Sequence, residues 1–300
     1  MLSDSSVVIC EIVVSQGKLY LVATPIGNLE DISLRALRLL KEVDLIACED
    51  TRHTAKLLTY YGISTPRQSF HEHNEAARTP RLMELLRQGK NIALVSDAGT
   101  PLISDPGHVL VSRCREEGID AIPIPGPVAA VASLIGSGLP TDSFFFAGFL
   151  PSRSGARKKR LEELAGTAAT LVFYEAPHRV LRSIEDIAQV LGPRPACLVR
   201  ELTKIHEEWL RGELREILRI LQGRHAIKGE ITLVVHGAQS SKLDRPWPNS
   251  IREHLEEEMH RRGISRKEAL KSIARQRGIP RREAYRLLLE VSSRRSFNEK

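Results

Sequence analysis

Three hundred residues, 42% of them apolar, suffice for about two domains with sizeable cores and leave room for an appendage. The net charge of +7 is unevenly spread: residues 241–300 hold 16 Lys+Arg against 9 Asp+Glu, so the first 240 residues are neutral and the C-terminus carries the whole excess. No apolar run approaches a membrane span, and Cys10, Cys48, Cys114 and Cys197 stand far apart without a Cys-x-x-Cys pair, which argues against a disulfide framework and a zinc site and fits reduced thiols in a cytoplasmic protein. Val7–Val14 is too short, carries Glu11 and lacks a basic leader, so it does not read as a signal peptide.

After a loose N-terminal extension (1–16), the spacing predicts a strand at Lys18–Ala23, a turn Thr24-Pro-Ile-Gly-Asn28, and a helix to Val43 capped by Asp31 or Ser33. A strand Asp44–Cys48 ends in Glu49-Asp-Thr-Arg-His53 and a helix follows to Tyr61; the polar cluster His71–Asn74 precedes a helix through Arg87. Ile92–Val95 is a buried strand, followed by the small, polar loop Ser96-Asp-Ala-Gly-Thr-Pro-Leu-Ile-Ser-Asp-Pro-Gly107, a helix closed by Gly118, and a strand Ala121–Ile124. The loop exceeds the usual length of a βα connection, and its two glycines let backbone approach a ligand that Asp97, Thr100, Ser104 and Asp105 can hydrogen-bond. Alternating strands and helices predict a parallel sheet with ligand-binding groups beyond the strands' carboxyl ends, where Thr24–Asn28, Glu49–His53, His71–Asn74 and Ser96–Gly107 all fall.

Pro125-Gly-Pro127 marks a boundary between an N-terminal α/β domain (17–127) and a second α/β domain (128–240). The second half repeats the alternation: Val128–Ser137 as a small-residue helix, Phe144–Ala147 as a strand, a helix from Ala156, then Ala169–Tyr174, Val180–Leu191, Ala196–Val199, a charged hairpin-like stretch, Glu213–Leu221 and Ile231–Val235. Arg153, Arg157, Lys158, Lys159 and Arg160 add local positive charge. A linker with Pro246 and Pro248 leads to a basic helical appendage (241–300) resembling a helix-turn-helix, whose last two helices share a seam of Ala269, Ile273, Ala274, Ile279, Ala284, Leu287 and Leu288. The charge asymmetry suggests that this appendage meets a polyanion; a basic tail serving solubility is the competing view.

Gly-x-Gly-x-x-Gly, Gly-x-x-x-x-Gly-Lys and Gly-x-Ser-x-Gly are all absent, so dehydrogenase, P-loop and α/β-hydrolase readings lose their support. The set Thr24-Pro-Ile-Gly-Asn-Leu29, Glu49-Asp-Thr-Arg52, Ser96-Asp-Ala-Gly-Thr-Pro101, Ser104-Asp-Pro-Gly107, Pro125-Gly-Pro127, Tyr174-Glu-Ala-Pro-His-Arg179 and Arg200-Glu-Leu-Thr-Lys204 resembles the tetrapyrrole methylase superfamily, within it the branch that modifies RNA. The resemblance spans roughly Gly17–Gly237. It implies two α/β domains with S-adenosyl-L-methionine in the cleft between them, a homodimer, and 2′-O-methylation of a cytidine ribose in 16S rRNA of the 30S subunit, without metal or membrane. It further implies cofactor contacts from the loop residues Asp97, Ala98, Gly99, Thr100, Ile103 and Ser104, and from Pro25, Val128, Ala129, Tyr174, Glu175 and Glu230. Thr100 fits the RNA-modifying pattern, whereas Val128 stands where a hydroxyl residue is common.

Transfer of a methyl group to a ribose hydroxyl benefits from a nearby proton acceptor, for which Asp50, His53, His73 and Glu175 are candidates; each taken singly reads more readily as a structural hydrogen-bond partner. Arg52, Arg179, Arg200 and Lys204 can hold phosphates or form salt bridges, and Asn74 can position a ribose or cap its helix. Two alternatives stay open: a relative acting on a small molecule or protein side chain, and a non-catalytic RNA-binding protein on the same fold.

Overall fold

A computed structural model describes residues 16–238 and 250–295, which fall into two compact units divided between Ala238 and Gln239. The Val7–Val14 run, Cys10, nearly all of the N-terminal extension and the prolines of the linker lie outside the described residues.

The first unit holds two five-stranded sheets. In the first, β1 (Leu19–Val22), β2 (Leu45–Cys48), β3 (Arg67–Ser69), β4 (Ile92–Val95) and β5 (Ala121–Ile124) run parallel in the order β3-β2-β4-β1-β5. The strands read as continuous apolar runs because helices cover both faces. On one face, α1 (Leu34–Glu42) and α2 (Thr51–Tyr60) bury Ala36, Leu39, Leu40 and Leu58 against Ile46, Ala93 and Val95. On the other, α3 (Glu75–Arg87) and α4 (His108–Glu116) set Leu82, Met83, Leu86, Leu110 and Cys114 against Leu19, Ile92 and Leu94. Ser33, rather than Asp31, caps α1 by accepting from Ala36 N at 3.1 Å. Edge strand β3 has no counterpart in the sequence pattern, since Arg-Gln-Ser lacks both apolar content and alternation.

The second sheet is mixed. β6 (Phe144–Phe149) and β7 (Thr170–Glu175) are parallel, while β10 (Ile231–Val235), β8 (Pro195–Arg200) and β9 (Glu208–Glu213) complete the order β6-β7-β10-β8-β9 with antiparallel pairs. The charged hairpin-like stretch after Val199 is the turn that leads into β9, which folds back antiparallel on β8. Helix α5 (Ala129–Ser137) packs Ala130 and Leu134 on one face, against Val172, Cys197, Val199 and Val234. On the opposite face, α6 (Ser154–Leu164), α7 (Val180–Leu191) and α8 (Leu214–Gln222) bury Leu161, Ile184, Ile187 and Ile217 against Leu171, Phe173, Leu198 and Leu233. Arg157 leaves the basic cluster that its neighbours suggest. It is 2% exposed, with Nε 2.8 Å from Asp186 Oδ2 and NH1 donating to the carbonyls of Pro151 and Ser152.

The second unit is a three-helix bundle of α9 (Ile251–Arg262), α10 (Arg266–Arg277) and α11 (Arg281–Arg295). Ser265 and Glu268 form a reciprocal capping box, Gly278 ends α10 in the left-handed region, and Pro280 precedes α11. Ala269, Ile273, Ala274, Ala284 and Leu288 are buried with Ile251 and Leu255, and Ile279 and Leu287 pack at their edge. Inside, the Glu258 carboxylate is almost fully buried. Burial would raise its pKa, but hydrogen bonds from Ser272 and Arg262 and the charge of Arg261 outweigh that and hold it at about 2.

Candidate active site

Because β1–β5 are parallel, the four polar clusters following β1, β2, β3 and β4 all lie at one edge of the first sheet. The Ser96–Gly107 loop is fixed there by backbone. Thr24 and Gly99 form an isolated antiparallel bridge, with Thr24 N to Gly99 O at 2.8 Å and Gly99 N to Thr24 O at 3.0 Å. The Thr100 hydroxyl donates to Pro127 O at 3.1 Å. Gly99 adopts φ +83°, and a Cβ there would meet Ile26 Cγ2 at 3.2 Å, so only glycine fits without strain. Leu102 and Ser104 also take positive φ values (69° and 66°), a backbone strain held in place by the surrounding contacts.

This loop forms one wall of a cavity of about 380 Å³. The other wall comes from the second sheet: Phe149 of β6, Tyr174 and Glu175 of β7, Val199 of β8, and Ile231 and Thr232 of β10. The N-terminus of α5 completes it with Val128 and Ala129. Val128 carries no capping oxygen; the Tyr174 hydroxyl instead accepts from Ala130 N at 3.2 Å. Asn28 N donates to Thr203 Oγ1 at 3.0 Å, joining the turn after β1 to the turn after β8.

Every residue implied for the cofactor except Pro25 lines this cavity: Asp97, Ala98, Gly99, Thr100, Ile103 and Ser104 from the loop, and Val128, Ala129, Tyr174, Glu175 and Glu230 from elsewhere. Pro25 sits half-buried in the turn, and its neighbour Ile26 takes the lining position. Of the candidate proton acceptors, only Glu175 lines the cavity, and its Oε1 is engaged by its own Ala176 N at 2.8 Å and by Arg179 Nε at 2.5 Å. Asp50 caps α2, where hydrogen bonds from the Arg52 side chain and backbone lower its pKa to about 2, leaving a weak base. His53 and His73 are exposed and away from the cavity lining.

None of the five substrate candidates lines the cavity. Arg179 pairs with Glu175, Arg200 with Glu208 at 3.0 Å, and Lys204 bridges Glu201 at 2.8 Å and Glu230 at 3.1 Å. Arg52 pairs with Asp50 but keeps 89% of its side chain in solvent. Asn74 makes no cap bond to α3; its Oδ1 accepts from His71 N and its Nδ2 lies 2.9 Å from His71 Nε2, which ties the turn after β3 together.

Two features of the site were not singled out by the sequence in the roles they take. Of the apolar wall residues, Phe149 and Val199 lie outside the motifs as ordinary strand side chains, and Ile26 and Leu202 sit within the Thr24–Leu29 and Arg200–Lys204 motifs with nothing to mark them as wall residues. Asp105, visible within the loop, has the most altered acid–base behaviour at the cavity. Burial pushes its carboxyl up to about 6, with the Glu49 and Asp97 charges adding to the shift and the Ser96 hydroxyl opposing it. Among the described residues the lining holds four carboxylates (Asp97, Asp105, Glu175, Glu230) and no Lys, Arg or His.

A cleft of this kind between two sheets defines a class. The model of the Tetrapyrrole (Corrin/Porphyrin) Methylases matches residues 18–218, and the chain belongs to that family. Within it, the chain is 50% identical over 262 residues (86% of this chain, 90% of the relative) to ribosomal RNA small subunit methyltransferase I of Halalkalibacterium halodurans. It is 47% identical over 281 residues (92% and 99%) to the protein of the same name from Synechocystis sp.. Solved structures of the same fold include the methyltransferase CobJ (TM-score 0.57, 18% identity, 74% of this chain and 95% of that one). Another is uroporphyrin-III C-methyltransferase from Thermus thermophilus complexed with S-adenyl homocysteine (TM-score 0.52, 20% identity, 73% and 97%).

Proposed function

We propose that the protein transfers a methyl group from S-adenosyl-L-methionine to the 2′-oxygen of a cytidine ribose in 16S rRNA of the small ribosomal subunit, in the cytoplasm. The observation that carries this reading is the cavity: apolar walls, a glycine-dependent backbone approach, and four carboxylates with no cation among the described lining. Such a lining favours a ligand with net positive charge and apolar surface over a phosphate, which fits the cofactor and leaves the RNA backbone outside. The names of the relatives from H. halodurans and Synechocystis supply the substrate class.

The loop Asp97–Ser104, the start of α5, Tyr174 and Glu230 would hold the cofactor. Bound there, it supplies a methyl group on a sulfonium, already a good leaving group. The chain's own work is then alignment and proton removal. Asp105 is the carboxylate best suited to accept the ribose proton, because Asp97 accepts from Asp50 N, Glu175 is clamped by Arg179 and Glu230 by Lys204. Arg52, exposed at the same sheet edge, can meet a phosphate of the incoming RNA. The division of the first unit at Pro127 and a homodimer are part of the proposal. Exposed Val131 and Ile135 on α5, and Phe144 and Phe145 on β6, offer apolar surface for a second copy.

Incubating the protein with methyl-labelled S-adenosylmethionine and 30S subunits, naked 16S rRNA or a tetrapyrrole should label RNA alone. Label on the tetrapyrrole, or none despite cofactor binding, would defeat the reading. At Gly99, substitution by alanine forces a Cβ into φ +83° and against Ile26. The expected result is a cost of about 1–2 kcal/mol in stability, with at least tenfold weaker cofactor binding by calorimetry.

A further inference from the structure

The three-helix unit is polarised in charge. The exposed acids of α9 are Glu253, Glu256 and Glu257, whereas Ser265–Leu288, spanning α10 and the start of α11, holds eight Lys/Arg against two Glu. Those two acids are engaged locally: Glu268 in the capping box with Ser265, Glu283 with Arg286 at 3.7 Å. On α10, Lys267, Lys271 and Arg275 recur every four residues and are exposed, forming one stripe along the helix. On α11, Arg281 and Arg282 are exposed in the first turn, and Tyr285 follows one turn after Arg281 with 56% of its surface in solvent. The buried seam of Ala284 and Leu288 faces the bundle, so Tyr285 is not a core residue. Helix α9 itself is nearly balanced, with Arg252, Arg261 and Arg262 against four Glu, so the excess of cations is concentrated on α10 and α11. A tail that served only solubility would not need that concentration, nor an exposed aromatic ring among the cations.

We propose that the α10–α11 face is an RNA-docking surface, in which Lys267, Lys271, Arg281 and Arg282 contact phosphates and Tyr285 stacks on an unpaired base. The proposal rests on the RNA-modifying reading above for its choice of polyanion and extends it to a site outside the methyl-transfer cavity. A ring in solvent beside cations suits a looped or single-stranded segment, whose bases are free to stack, better than a continuous duplex. An anionic lipid surface would meet the cations equally well but would leave the tyrosine without its specific role.

The test uses the full chain with two fluorescein-labelled RNAs, a stem-loop with an unpaired loop and the same stem closed as a blunt duplex, and with phosphatidylglycerol vesicles. Arg281→Glu with Arg282→Glu should weaken both RNAs at least tenfold and flatten the salt dependence by about 0.7–0.9 for each phosphate no longer neutralised. Lys267→Ala with Lys271→Ala, on the neighbouring helix, should act in the same direction. Tyr285→Ala should weaken the stem-loop roughly tenfold without changing the salt slope or duplex binding, and Tyr285→Phe should bind like the wild type. S-adenosylmethionine affinity should be the same in all of them. Wild-type RNA affinity and salt slope in all the variants would overturn the proposal, as would tighter binding to the vesicles than to either RNA. Variants that methylate and bind as the wild type does defeat the docking face alone. A wild-type protein that binds RNA through this face but transfers no methyl group defeats the methyltransferase reading and leaves the face standing.

Discussion

Asp105→Asn should lower turnover by about 10²–10⁴-fold, the range spanned by loss of a positioned proton acceptor. The amide is nearly isosteric and sits at a partly exposed loop position, so the fold and most of the cofactor affinity should survive. The pH profile makes the test specific. With its carboxyl at about 6, wild-type Asp105 is protonated and unable to accept a proton below that value, so kcat/KM for S-adenosylmethionine should rise through pH 6 and level off above it. The variant should lose that acidic limb. Calorimetry offers a readout apart from activity: wild-type affinity for the cationic cofactor should strengthen as Asp105 ionises, and the variant's should not. An unchanged limb and full turnover in Asp105→Asn would return the role to another group, with Glu175 next in line at the cavity.

The largest stability effect is expected at Asp186. Its carboxylate accepts from Ser154 Oγ at 2.8 Å and from Arg157 Nε at 2.8 Å, and Lys158 Nζ lies 3.4 Å away. Asp186→Ala leaves the Arg157 guanidinium 2% exposed with no counter-charge, which should cost about 3–5 kcal/mol by denaturant unfolding. Replacing both, Arg157→Met with Asp186→Leu, should recover most of the loss, because two apolar groups of similar volume avoid the stranded charge. Burial alone would raise the Asp186 pKa, but the hydrogen bonds from Ser154 and Arg157, with the Arg157 charge, outweigh it and hold the folded value below the usual one. The pair's stabilisation is therefore complete above the unfolded-state pKa of about 3.9 and is lost as pH falls through the folded value. Equal stability of Asp186→Ala and wild type would show that Arg157 reaches water.

Much of the site was legible because its chemistry is concentrated in unusual residues. A long loop with two glycines, two prolines and small polar side chains between an apolar strand and a helix has few structural uses, and Ser96–Gly107 lies on the cavity as its composition suggested. The seam of the C-terminal helices followed from spacing, with Ala269, Ile273 and Ala284 buried in it. What stayed hidden depended on partners distant in sequence. Arg157 reads as one of five clustered cations until Asp186 is brought to it across the α6–α7 contact. Val199 and Thr232 are indistinguishable from other strand residues until the second sheet forms the far wall. The mixed pairing of that sheet could not be read from alternation, because β10 runs opposite to its neighbours β7 and β8 yet is as apolar as they are. Asp105 stands in the Ser104-Asp-Pro-Gly107 motif, but nothing in the sequence sets it above Asp50, Glu175 or the histidines as a proton acceptor; burial beside Glu49 and Asp97 does.

The central claim is a ribose methylation of small-subunit RNA, and nucleoside mass spectrometry tests it most directly. 30S subunits lacking the modification would be treated with the protein and S-adenosylmethionine, and their 16S rRNA then digested. The expected result is gain of one 2′-O-methylcytidine per 16S rRNA, absent when the cofactor is omitted and strongly reduced with Asp105→Asn. A methyl group found on a base or on a ribosomal protein, or no gain by a protein that binds the cofactor, would contradict it.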